Sequence, residues 1–232
     1  MRTLRALCIA SLAAVLSLLG PALTAPLATQ AAALESWRLE TNKNGIQVYS
    51  RHSPDSRFKE IRVHCEMPGT LAQLVALYTD VDNYTEVISN TKRARLLRRV
   101  SETELYYYLE SQMPRPVANR DVVMHLQFQY APAERQLIIH TNSVNGMVAP
   151  QNDIVRVPSW TGQWTVRQIT DSRLQIAYTF RVDPGGELPT WLINMIAPVA
   201  PYNSFMKLRN GLQLPRYQNR SFGFLSPETA QR

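Results

Sequence analysis

The sequence predicts an α+β fold in which a curved antiparallel β-sheet wraps around a long C-terminal α-helix. Three observations predict it. Apolar and polar residues alternate through a series of strand-length runs. The later runs are separated by short polar turns such as SET (101–103), PAE (132–134) and TDS (170–172), too short for parallel crossovers. The last apolar segment, LPTWLINMIAPVAPYNSFMKL (188–208), has helical spacing.

At the N-terminus, Arg2 and Arg5 precede the apolar run Ala6 to Leu19, and small residues follow with cleavage points after Ala31 or Ala33. Residues 1–33 therefore read as a secretory signal peptide. The run stops at Gly20-Pro21, short of the roughly 20 residues that span a bilayer. Cleavage places the mature protein in the periplasm or outside the cell. It also removes Cys8 and leaves Cys65 without a disulfide partner, so the fold must rest on its core.

The expected domain covers 34–214, followed by a flexible tail, 215–232, that has no periodicity. A short helix is expected over 34–41, before Asn44-Gly45 turns the chain into a strand over 46–51. Residues 58–67 put Ile61, Val63, Cys65 and Met67 on one face, which makes Cys65 a buried thiol. Thr70 and Gln73 form a capping box for a helix carrying Leu71, Leu74, Val75 and Tyr78. Asp82 caps a second short helix over 83–88. Strands are then expected over 93–100, 104–112, 121–130, 135–141, 154–168 and 173–182, the last with Leu174, Ile176, Tyr178, Phe180 and Val182 facing inward.

At 45% hydrophobic and 19% charged, the 232 residues suit one globular domain with a sizeable core. With nine glycines there is no phosphate-cradling GxGxxG or GxxxxGK[ST]. GxSxG, HExxH and CxxC are absent too, and His52, His64, His125 and His140 are scattered, so neither a metal nor a cofactor is expected. For an enzyme, His125 or His140 could serve as a general base and Glu110 with Asp121 could form a carboxylate pair, although a structural or surface role is the stronger reading of each. The formal charge of +7, or +5 once Arg2 and Arg5 are cleaved away, suits an anionic lipid surface better than nucleic acid in an exported protein. Its densest part, Lys92, Arg93, Arg95, Arg98 and Arg99, reads either as an edge strand protected by charge or as a dock for anionic headgroups.

Three motifs, WRLETNKNGIQVYSR (37–51), MPRPVANRDVV (113–123) and DPGGELPTWLIN (183–194), resemble the START family of lipid-transfer domains. The resemblance implies a helix-grip fold that holds one lipid in a tunnel between the sheet and the C-terminal helix, that helix and nearby loops acting as a lid. Its lipid-binding candidates are the inward-facing Tyr107, Leu109, Met124, Leu126, Phe128, Trp160, Trp164, Tyr178 and Phe180. Leu192, Met195, Val199, Tyr202 and Met206 join them from one face of the helix. Pro198 and Pro201 should bend that helix and serve as a hinge. Lys92, Arg93 and Arg95, with Met113 and Met147 on two loops, are the candidates for transient membrane contact. The expected protein is a non-enzymatic monomer whose partners are a lipid and a membrane, not nucleic acid. The alternatives are a cyclase- or aromatase-like enzyme with an enclosed substrate, and a ligand-sensing module. In the NRD element, Asn119, Arg120 and Asp121 are expected to shape the loop before the next strand.

Overall fold

The computed structural model describes residues 36–53, 56–188 and 190–226, with the side chains of 53, 57 and 190–198 excepted. The signal-peptide expectation for 1–33, including Cys8, lies outside the described residues. So do the side chains of Leu192, Met195 and Pro198.

The first element corrects the expected helix over 34–41. It is strand β1 (Arg38–Lys43), paired antiparallel with β2 (Ile46–Ser53) so that Lys43 faces Ile46. Asn44 and Gly45 both have positive φ, 52° and 71°, the backbone of a two-residue hairpin turn whose twist matches paired strands. That turn outweighs the local helical preference. β3 (Ser56–Pro68) follows, then helix α1 (Leu71–Thr79). The Thr70 hydroxyl accepts from Gln73 N at 3.2 Å, and Gln73 Oε1 accepts from Thr70 N at 2.7 Å, as the capping box requires. A 3-10 turn, Val81–Asn83, leads into the single-turn helix α2 (Tyr84–Val87), shorter than the expected 83–88.

The remaining strands are β4 (Thr91–Arg99), β5 (Glu104–Ser111), β6 (Asn119–Ala131), β7 (Gln136–Ser143), β8 (Ile154–Arg156), β9 (Ser159–Thr170) and β10 (Arg173–Asp183). Residues 154–168 are therefore two strands rather than one, broken at Pro158. The sheet runs β1-β2-β3-β10-β9-β7-β6-β5-β4, antiparallel throughout this path, with β8 added parallel to the start of β6. Helix α3 (Thr190–Gly211) closes the fold.

Register sets which side chains share the inner face. Val48, Val63, Tyr178, Trp164, Ile139 and Phe128 form one row across six strands. Phe205 and Leu208 of α3, with Leu212 just past its end, join the same core with Leu74 and Leu77 of α1. The buried α3 stripe differs from the expected face: Val199 is 48% exposed, while Tyr202 and Met206 flank the stripe half-buried. The helix is apolar nearly all round over residues 191–202, and in its carboxyl half the Phe205 ring stacks on Trp164 (5.2 Å, 18°).

The expected loose tail also needs correction as far as residue 226. Pro215–Tyr217 form a 3-10 turn, Tyr217 is 2% exposed and its hydroxyl donates to Asp80 Oδ2 at 3.0 Å. Farther on, Phe224 stacks on Phe128 at 6.0 Å.

Candidate functional site

The inner face changes character along the strands. Toward α1, Leu105, Leu126, Leu137, Val166 and Leu174 have no exposure at all and form a closed plug beneath Leu74 and Leu77. Toward the other end, Leu96, Leu109, Trp160, Phe180 and Val182 pack on this core but stay only partly buried. That end is where β10 finishes and the short connection into α3 begins. An aromatic column links the two: Trp160 stacks on Phe180 (5.9 Å), Phe180 on Tyr178 (4.7 Å), Tyr178 on Trp164 (3.9 Å) and Trp164 on Phe205. Burial pushes the phenols of Tyr107 and Tyr178 above their ordinary range, so both remain neutral.

The expected lipid-binding residues thus divide. Tyr107, Met124, Leu126, Phe128, Trp164 and Tyr178 are buried, whereas Leu109, Trp160, Phe180, Tyr202 and Met206 are accessible in part. Val199 points to solvent. Sequence reasoning missed Phe205, which the 205, 208, 212 spacing of Phe205, Leu208 and Leu212 could have revealed, and Tyr84, whose ring meets Tyr107 edge-on at 5.3 Å. The carboxyl half of α3 is pinned: Tyr202 Oη accepts from Asn44 Nδ2 at 2.7 Å, Arg209 donates to Asn44 O, and Lys207 donates to the Thr85 and Ile88 carbonyls. Pro198 and Pro201 precede these anchors.

Three consecutive residues, Asn119, Arg120 and Asp121, fasten three loops at the partly open end. Asn119 accepts from Met113 N at 3.1 Å and donates to Glu110 Oε1 at 2.8 Å, closing the Met113 loop. The buried Arg120 donates to the carbonyls of Ala118, Pro184 and Gly185, tying β6 to the connection before α3. Asp121 accepts two bonds from Arg156, at 2.7 and 3.0 Å, and Arg156 also donates to the Val148 and Ala149 carbonyls. This is the loop-shaping role expected of the NRD element.

Glu110 and Asp121 are cross-strand neighbours, both about fully buried, on the outer side of the sheet with Tyr108 and Val123. His125 shares that side, pairing with Glu104 at 2.8 Å and stacking on Tyr106 at 4.3 Å. None of the three faces the apolar interior, as an enzyme acting on an enclosed substrate would need. Two open grooves, of about 840 and 580 Å³, also lie on this outer face and are lined largely by polar residues such as His64, Arg167 and Gln175, or Arg62, His140 and Gln163.

Burial favours the neutral form of Glu110, but hydrogen bonds from Lys92 and Asn119 and the charges of Lys92 and Arg93 outweigh it and hold its pKa below the ordinary value. Two of the three proposed docking cations therefore already serve an internal carboxylate, while Arg95 is exposed. A lowered carboxyl pKa contributes stability that is present above the unfolded value, near 4.5, and lost as pH falls through the folded value. In urea titrations from pH 7 to pH 3, the stability gap between the wild type and Glu110→Gln should be open at neutral pH and close at the acid end.

A sheet that grips one long helix, with a closed plug at one end and partly buried apolar walls at the other, defines a helix-grip protein. The START domain profile matches residues 20–216, and the chain belongs to that family, known for lipid binding and transfer. An uncharacterised protein of Pseudomonas aeruginosa is 27% identical over 179 residues, covering 77% of this chain and 88% of its own. The phosphatidylcholine transfer protein of Mus musculus is 25% identical over 165 residues, covering 69% and 76%. Among solved structures, the STAR-related lipid transfer protein of Xanthomonas axonopodis (fragment 25–204) superposes with a TM-score of 0.71 at 27% identity, covering 78% of this chain and all of that one.

Proposed function

We infer that this chain is an exported, non-enzymatic lipid-transfer protein that carries one two-chain phospholipid beneath the amino half of α3. The observation that carries the reading is the inner face, sealed at the α1 end and only partly buried at the end where α3 begins. A carrier needs such an enclosure. Two acyl chains amount to about 30 methylenes at about 0.8 kcal/mol each, so shielding them is worth more than roughly 20 kcal/mol. The resemblance to a phosphatidylcholine transfer protein makes phosphatidylcholine the first ligand to test.

Docking uses the same end of the sheet. β4 starts there with Lys92 and Arg93, β5 leads into the Met113 loop, and β7 leads into the loop carrying Met147, which is 41% exposed. Among the described residues no helix is long and apolar enough to cross a membrane. The proposed contact is transient, made by a periplasmic or secreted monomer. The pinned carboxyl half of α3 leaves the segment before Tyr202 to open as the lid, with Pro198 and Pro201 at its base.

The test is delipidated protein offered phosphatidylcholine, phosphatidylethanolamine, phosphatidylglycerol, a sterol and a fatty acid. Native mass spectrometry should show one bound lipid, and a donor-to-acceptor vesicle assay should show transfer. No binding to any of them would overturn the carrier. Binding without transfer would point to the sensing module, and Pro198→Ala/Pro201→Ala with unchanged transfer would remove the hinge.

A further inference from the structure

The outer face of the sheet carries a trough that lipid carriage does not use. The two grooves on that face share His64, Thr165 and Ala177, and so run into one another along β10. Register gives the trough its length and its charges. Arg173 and Arg181 stand at its two ends on β10, about 27 Å apart at roughly 3.4 Å per residue. Arg167 of β9 lies opposite Gln175, and Arg62 of β3 lies opposite Thr179. Between these levels the floor is low, because Ala177 is flanked by Thr165 and His64.

Two carboxylates reach the trough, and both are taken. Glu66 pairs with Arg173 at 3.0 Å, and Glu60 pairs with Arg51 at 2.6 Å. Arg62 donates to the Thr179 hydroxyl at 3.2 Å and lies over the Trp37 ring, contacts that orient its guanidinium without cancelling its charge. Among the described residues, Arg62, Arg167 and Arg181 therefore have no carboxylate partner. His64 stays neutral between them, its pKa lowered by burial and by the charge of Arg62.

Unpaired cations on an open polar floor call for an anionic partner. The rest of the lining says which kind. Gln136, Gln163, Gln175 and Asn142 offer amides that both donate and accept, as a sugar's hydroxyls do. Apart from Phe180, whose ring stacks on Tyr178, no Phe, Tyr or Trp lines the trough. It thus lacks both the aromatic anchor that a protein interface buries and the platform on which nucleic-acid bases stack. An extended peptide would also find the backbone groups of β10 and β9 already paired on both sides. Cations standing singly suit singly charged groups better than phosphate monoesters, which carry nearly two charges. We propose that the outer trough binds a carboxylate-bearing polysaccharide, with Arg62, Arg167 and Arg181 as its anionic contacts. The site lies across the sheet from the inner face and does not depend on lipid carriage.

The experiment titrates the protein with oligogalacturonate by calorimetry. Binding should be clear at about 50 mM salt, fade toward about 300 mM, and be absent with a neutral glucan of equal length. Arg167→Gln/Arg181→Gln should weaken binding roughly five- to tenfold with the urea midpoint unchanged. Arg95→Gln/Arg98→Gln removes the same charge from β4, outside the trough, and should leave binding nearly as it was. In the wild type, the side-chain amide resonances of Gln163 and Gln175 should shift with the sugar, a readout that needs no variant. No binding, equal binding of the neutral glucan, equal weakening by both variants, or tighter binding of polyglutamate or single-stranded DNA overturns the inference. None of these outcomes bears on the lipid carrier.

Discussion

Asp121→Ala should lower the unfolding free energy by about 3 kcal/mol, read as a drop in the urea midpoint at unchanged slope. Asp121 is 1% exposed and receives two bonds from Arg156, whose side chain is 18% exposed. Removing one partner of a buried pair strands the other, at a typical cost of about 3–5 kcal/mol. The lower end applies because Arg156 keeps some access to water and retains its bonds to the Val148 and Ala149 carbonyls. Relief of the like charge on Glu110, directly across the ladder, acts in the same direction. Replacing both partners with apolar residues, as in Asp121→Leu/Arg156→Met, should recover most of the loss, since the charges then vanish together. A loss under about 1 kcal/mol for Asp121→Ala would mean that water screens the pair as it does on a surface.

The same pair shows where sequence reading stops. Alternation along β5 and β6 correctly put Glu110 and Asp121 opposite Leu109 and Val122, because side-chain parity is local. Their burial is not local. It comes from a loop fastened by Arg156, 35 residues farther on, that folds over the outer face. The capping box at Thr70 and the inward row of β10 were legible for the reason that parity was: each needs only neighbouring residues. β1 was misread although Asn44-Gly45 carried a hairpin signal, because only pairing with β2 gives its residues a reason to extend. The rotation of α3 was missed for a further reason. Residues 191–202 are apolar on nearly every side and show no preferred face, so the signal lay only in the stripe of Phe205, Leu208 and Leu212 beyond them.

Leu109 and Leu126 lie on the same inner face of adjacent strands, yet their substitutions should part company. Leu126→Ala, at a position with no exposure, should cost about 2–5 kcal/mol through lost burial and the cavity left behind. Lipid uptake by the protein that remains folded should be near normal. Leu109→Trp should do the opposite. Leu109 is half-buried toward the partly open end, and a larger ring there extends into the space assigned to the ligand. If protein filled that space, the ring would overpack it and destabilise the delipidated form by about 1–3 kcal/mol. If the space belongs to lipid, the delipidated melting temperature should hardly move. Displacing one or two methylenes, at about 0.8 kcal/mol each, should then weaken lipid binding roughly tenfold. The pair thus separates a solid core from a tunnel by which quantity moves. A Leu109→Trp protein that is destabilised when empty and binds lipid as the wild type does would place the ligand somewhere other than beneath the start of α3.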